Sequence, residues 1–247
     1  MLFLLLTSLR PLKEILAEPF GWPNQLSLAA FARVWSTGQM GKYFINSFIV
    51  VTLSLLVLLA LASLAGYVLG RKFFRGRQAL SLIFLGGLLI PGQVTLIPLF
   101  SLFSRLNLVN SFIPLILLNV AFGLPFSILV FTQFFRQIER DIEDAAKIDG
   151  SSDLTFFWRV LIPLSGPAIA TVGVLQFMWM WNDLLFALTF IHREGLRTVP
   201  LGLLGLKGRY TMEFDTVSAG ALLSLLPILI AYILFQRYLI RGLTGIQ

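Results

Sequence analysis

The chain has 247 residues, of which 57% are hydrophobic and 13% charged, with 23 Phe, no Cys and a formal net charge of +7. A soluble domain must present a polar surface to water, and this composition excludes that class. The lack of Cys excludes disulfides, thiolate metal sites and Cys nucleophiles, and in so apolar a chain the positive charge reads as membrane-flanking Lys and Arg, with no nucleic-acid partner expected.

In chain order, MLFLLLTSL (residues 1–9) comes first. It is apolar but shorter than the ~20 residues a spanning helix needs. It also lacks the basic start of a signal peptide. The expectation is the tail end of a transmembrane helix whose beginning is missing. Five longer apolar runs follow, at residues 45–69, about 80–103, 112–135, about 164–190 and about 217–239. None alternates with period two, so they read as helices and not as barrel strands. The predicted fold class is an all-α membrane protein. Residues 1–247 form a single polytopic helical bundle, with five complete transmembrane helices plus a truncated first helix. A polar insert at about 137–163 interrupts it.

Individual residues refine this. Gly66 and Gly70 form a GxxxG pair that permits close helix packing. RKFFRGR carries Arg71, Lys72, Arg75 and Arg77 in a short loop, which the positive-inside rule assigns to the cytoplasm. Alternation then puts 137–163 and the C-terminus inside, and 105–110 and 191–216 outside. Pro91 and Pro98 interrupt the second long run; each removes a backbone donor and kinks a helix. Gln93 and Thr95 between them either line a pathway or sit at a static kink. Asp183 lies seven residues before Phe190, on the order of 10 Å inside that span. An ionisable residue there faces a cavity or another helix, so Asn182 and Asp183 are candidate pathway residues, the alternative being a structural hydrogen bond. Trp179 and Trp181 read as packing or interfacial residues. His192, the only histidine, reads as a solvated loop residue, and no metal site is expected.

The insert is the most informative segment. Ile138, Ile142, Ala145 and Ala146 recur at helical spacing and make an apolar, small-residue face. Glu143 and Lys147 form an i,i+4 pair in the favourable order. Gly150 is a natural C′ stop. Ser151 or Ser152 can cap a following helix with Asp153 in its first turn. Phe156, Phe157, Val160 and Leu161 face something apolar, and Pro163 turns the chain into the next span. The segment is thus two short helices joined at a glycine. A small-residue face suits docking into a groove on a partner; the alternative is a solvated amphipathic helix resting on the bilayer.

The same segment resembles the EAA loop of ABC importer permeases: Glu-Ala-Ala, three residues, Gly, nine residues, then Ile-x-Leu-Pro. Here Asp144-Ala145-Ala146, Gly150, Val160, Ile162 and Pro163 keep every spacing, with Asp149 before the glycine. Asp144, Val160 and Ile162 are conservative departures. The resemblance extends from about Ser8 to Thr244 and is most similar to the carbohydrate-uptake, maltose-type branch. It rests on SLRPLKEI, NSFIVV, GYVLGRKFFRGR, IPGQVTLIPLFSLFSRLNLVNS, LPFSILVFTQFF, WNDLLFAL and QRYLIRGLTG. Members typically have six spans, from which the short N-terminal run departs.

The resemblance implies a multi-pass inner-membrane permease subunit that pairs with a second permease. Asp144, Ala145, Ala146, Asp149 and Gly150 would dock on a cytoplasmic ABC ATPase dimer. An extracytoplasmic solute-binding protein would deliver a carbohydrate. No GxxxxGK[ST], GxSxG or HExxH sequence occurs. A non-enzymatic subunit without cofactor is therefore expected, its energy coming from another subunit or an ion gradient. The alternatives are a permease for a non-sugar solute and an ion-coupled secondary transporter.

Overall fold

The computed structural model describes residues 2–18, 21–23, 25–36, 38–206 and 214–243, with side chains at all of these except 2 and 237–243. Among them every regular element is helical. In chain order they are α1 (Leu2–Ser8), α2 (Leu12–Ala17), α3 (Ala29–Ser36), α4 (Met40–Arg71), α5 (Arg77–Gly87), α6 (Gly92–Arg105) and α7 (Ile113–Gln137). There follow α8 (Arg140–Ile148), α9 (Asp153–Phe156), a π-helical turn (Phe157–Leu161), α10 (Ile162–Leu164), α11 (Gly166–Trp181) and α12 (Leu185–Phe190). A 3₁₀ turn (Glu194–Leu196), α13 (Val199–Gly205) and α14 (Phe214–Leu243) complete the order.

Among the described residues, three helices are long and apolar enough to cross a membrane: α4, α7 and the Phe214–Gln236 part of α14. Two further stretches qualify as bent pairs, α5 with α6 at 94° and Asp153–Leu164 with α11 at 74°, so the chain has three to five candidate spans. The first bend falls where Pro91 denies the ladder a donor, and Pro98 continues inside α6. The run expected as one helix over 164–190 is divided. α11 stops at Trp181, and α12 begins only at Leu185. The reason is local: the Asp183 carboxylate accepts the Phe186 amide proton at 3.1 Å, giving the backbone an alternative to the helical ladder.

The chain divides into two compact units. The first comprises Met1–Val51, Pro98–Leu115 and Trp179–Ala231. Trp181 is buried there, 5.0 Å edge-on to Phe48 and 5.7 Å from Phe44, and its Nε1 donates to the Ser224 carbonyl at 2.9 Å. Trp179 is exposed. Asn46 Nδ2 donates to the Gly195 and Arg197 carbonyls at 3.0 and 2.9 Å. Ser47 Oγ accepts the first amide of α13 at 2.8 Å, satisfying a donor that the helix start leaves over. Asn110, at φ 62°, accepts the backbone amides of His192 and Arg193 at 2.7 and 2.9 Å, and the His192 ring stands edge-on to Phe100 at 6.5 Å. The 191–216 loop expected outside includes residues 207–213, which lie outside the described set.

The second unit comprises Thr52–Ile97, Ile116–Met178 and Tyr232–Gln247. Its core is the buried set Ala62, Tyr67, Leu69, Ile128, Phe131, Phe135, Phe156, Phe157, Leu161, Ala168 and Val172. The GxxxG pair is where α4 meets α7. A Cβ on Gly66 would lie 2.5 Å from the Phe131 Cβ, and one on Gly70 would lie 3.1 Å from the Thr132 carbonyl oxygen. At Gly66 only glycine permits that approach, and at Gly70 a side chain would be tightly crowded.

Candidate functional site

The polar hinge after α7 belongs wholly to the second unit, and its local structure follows from its sequence. α8 ends in a complete Schellman motif. The Ser151 amide donates to the Ala146 carbonyl at 2.9 Å and the Gly150 amide to Lys147 at 3.0 Å. Gly150 supplies the required left-handed conformation at φ +77°, with open space around it. Two residues later Ser152 starts α9, its Oγ accepting the Thr155 amide at 3.2 Å. Stop and start signals thus stand back to back and fix the corner.

One buried carboxylate organises the rest. Glu143, 7% exposed, bonds Arg71 Nε at 2.9 Å, Lys72 Nζ at 3.2 Å and Lys147 Nζ at 3.2 Å. Burial pushes its carboxyl pKa up, but the hydrogen bonds from Arg71, Lys147 and Lys72 prevail and hold it below the ordinary value. Arg71 is buried too, and its guanidinium donates to the carbonyls of Ile138 (2.5 Å), Glu139 (3.2 Å) and Phe135 (3.4 Å). Phe135 and Ile138 present carbonyls left over where α7 ends, where a cation is favoured, and Glu139 is the residue that leads into α8. Lys72 reaches on to Asp153 at 2.5 Å. Burial opposes its charge, yet its hydrogen bonds to Asp153 and Glu143 win and raise its pKa, with the Tyr67 ring beneath the ammonium at 5.2 Å. The first two cations of RKFFRGR therefore join α4, α7, α8 and α9.

The sequence-predicted residues fall on both sides of this joint. Ala146 and Ile138 pack against the core of the unit. Asp144, Ala145, Asp149 and Gly150 are exposed, as is Ile148 at 86%. The expected single apolar face of α8 is thus divided between an anchored side and a free side. Asp144, aligned with the acid of the EAA pattern, makes a 3.7 Å contact with Lys147 and has a 68% exposed side chain. The structural acid is its neighbour Glu143. A signal for it existed: Glu143 lies three residues before Ala146 on the inward side, and a buried acid needs a cation. Gln93 is exposed at the start of α6, Asn182 is exposed after α11, and Asp183 is partly buried at the α11–α12 break.

The family model for binding-protein-dependent transport system inner membrane components matches residues 62–245. The chain belongs to that family. Among relatives, the diacetylchitobiose uptake system permease NgcG of Streptomyces coelicolor is 33% identical over 96% of this chain and 79% of its own. The arabinooligosaccharides transport system permease AraQ of Halalkalibacterium halodurans is 33% identical over 99% of this chain and 88% of its own. In fold, the chain is similar to a chain in the crystal structure of a bacterial ABC transporter involved in alginate import. The TM-score is 0.83 at 22% identity, covering 96% of this chain and 88% of that one.

Proposed function

We propose that this chain is one of two permease subunits lining the pathway of an ATP-driven, binding-protein-dependent importer of a carbohydrate, and that α8 is the part gripped by the ATPase. The observation that carries the coupling role is the two-sided character of α8. Its inner side is clamped by Glu143 to Arg71 and Lys72, while Asp144, Ala145, Ile148 and Gly150 remain exposed. A free helix would not need its buried carboxylate held by Arg71 and Lys72 from another helix end, and a purely structural helix would not leave Ile148 in the open. An anchored helix with a small, free face is what a docked partner requires to be moved as a unit with its spans.

The family's binding-protein dependence supports delivery by an extracytoplasmic binding protein. The relatives named for oligosaccharide uptake support a carbohydrate cargo. The basic RKFFRGR loop supports a cytoplasmic hinge in the inner membrane.

The test uses the complex with the second permease, ATPase and binding protein. The chain has no Cys, so Ala145→Cys is a unique crosslinking handle; it should capture the ATPase, whereas a reagent confined to the outer side should not label it. Ala145→Trp should assemble its spans but lose ATP-driven uptake of oligosaccharide. Normal uptake by Ala145→Trp, with no capture by Ala145→Cys, overturns the coupling role.

A further inference from the structure

Beyond that reading, we propose that the hinge end of the second unit carries a binding site for one anionic phospholipid, built from Arg136, Arg140 and Arg77 over an apolar groove between α5 and α7. The inference requires only that the chain is embedded in a bilayer, not that α8 couples to an ATPase.

The cations near the hinge fall into two classes. Arg71 and Lys72 are neutralised by Glu143 and Asp153. Among the described residues, no carboxylate pairs with Arg75, Arg77, Arg136 or Arg140 within ion-pair distance. Two of them are nevertheless held in place. Phe73, 73% exposed, lies beneath both the Arg77 guanidinium at 5.2 Å and that of Arg140 at 4.9 Å. Two like charges are ordered on one exposed ring, and although Glu139 and Asp141 flank Arg140 in sequence, neither reaches ion-pair distance, so both guanidinium groups are left to receive an anion.

The groove runs along α5 and α7, of which α5 begins at Arg77 and α7 carries Arg136 in its last turn. It encloses about 470 Å³ including its open mouth, and its lining includes Leu69, Phe84, Leu85, Ile128 and Pro125, with Arg136 at one end. Ser81, one turn along α5 from Arg77, also lines it, as do Thr132 and Gln133. Thr132 is 5% exposed, and its buried hydroxyl has no hydrogen-bond partner. Pro125 and Arg136 are eleven residues apart on α7, so the apolar lane runs about 16 Å. An arginine end, an unsatisfied hydroxyl and a long apolar lane match a phosphate headgroup with its first acyl chain. Basic pockets between spans at the membrane face bind such headgroups.

The test is native mass spectrometry of the assembled transporter released from nanodiscs containing equal phosphatidylglycerol and phosphatidylcholine. The wild type should retain phosphatidylglycerol selectively. Arg136→Gln/Arg140→Gln should retain on the order of thirtyfold less, two cations' worth. Arg193→Gln, in the other unit, should match the wild type. Equal retention of both lipids by the wild type overturns the site without any variant having to fold. So does unchanged selectivity in the double variant, or crosslinking of Ser81→Cys to another subunit instead of lipid. None of these outcomes touches the ATPase crosslink at Ala145, so the two proposals fail independently.

Discussion

Replacing Glu143 with Ala should release α8 from the hinge. The substitution leaves Arg71 buried at 8% exposure without the carboxylate it pairs with. Stranding one partner of a buried pair costs about 3–5 kcal/mol. The low end applies, because Arg71 keeps the carbonyls of Phe135, Ile138 and Glu139. Lys72 keeps Asp153, and Lys147 is 52% exposed, so their lost contacts add at most about 1 kcal/mol. A loss of ~3 kcal/mol lowers the docked-to-undocked ratio of α8 on the order of 150-fold. Hydrogen exchange of the 140–148 amides in the nucleotide-free assembled transporter measures that ratio directly. Arg71→Leu/Glu143→Leu, which removes both charges and keeps apolar bulk, should recover most of the protection. If the Glu143→Ala amides exchange at the wild-type rate, the clamp is not what holds the helix.

Three further outcomes follow from the same geometry. The folded-state pKa of Glu143 is depressed and that of Lys72 is raised. The first contribution is complete above the ordinary 4.5 and lost as pH falls through the depressed value; the second is complete below the ordinary 10.5 and lost as pH rises through the raised value. Protection of α8, corrected for intrinsic exchange, should therefore be flat between those limits and fall on the acid side, a fall absent in Glu143→Gln. Gly66→Ala should destabilise the second unit by about 1–3 kcal/mol, because the added methyl meets the Phe131 Cβ at 2.5 Å; thermal unfolding in detergent reads this. Gly150→Ala meets no neighbour and should cost only the left-handed penalty of about 1–2 kcal/mol, with Gly150→Val costing more, seen as graded loss of α8 protection.

What the sequence disclosed and what it withheld divide along contact distance. The Gly150 stop, the Ser152 cap and the Glu143–Lys147 pair depend on neighbours within a few residues, and each formed as its pattern predicted. The close approach at Gly66 and Gly70 was legible as a capacity, but the choice of α7 as partner was not. Arg71 and Lys72 served in the sequence only as markers of membrane side. Their pairing with Glu143 spans some seventy positions, and nothing local announces it. Pro91 marked the break before α6, whereas a bend as large as 94° depends on packing. Asp183 drew notice for its depth in an apolar run. Its bond to the Phe186 amide lies at the break between α11 and α12, which the apolar pattern alone did not announce.

The Arg71 junction has a mechanical corollary. Knobs resting in hollows resist being squeezed together but separate when drawn apart. Here the guanidinium grasps the tail of one rod and the acid of the next, so the joint bears tension as well as compression. A motor fastened to the outer side of α8 could therefore drag the membrane rods back on its return stroke, without waiting for elastic recoil.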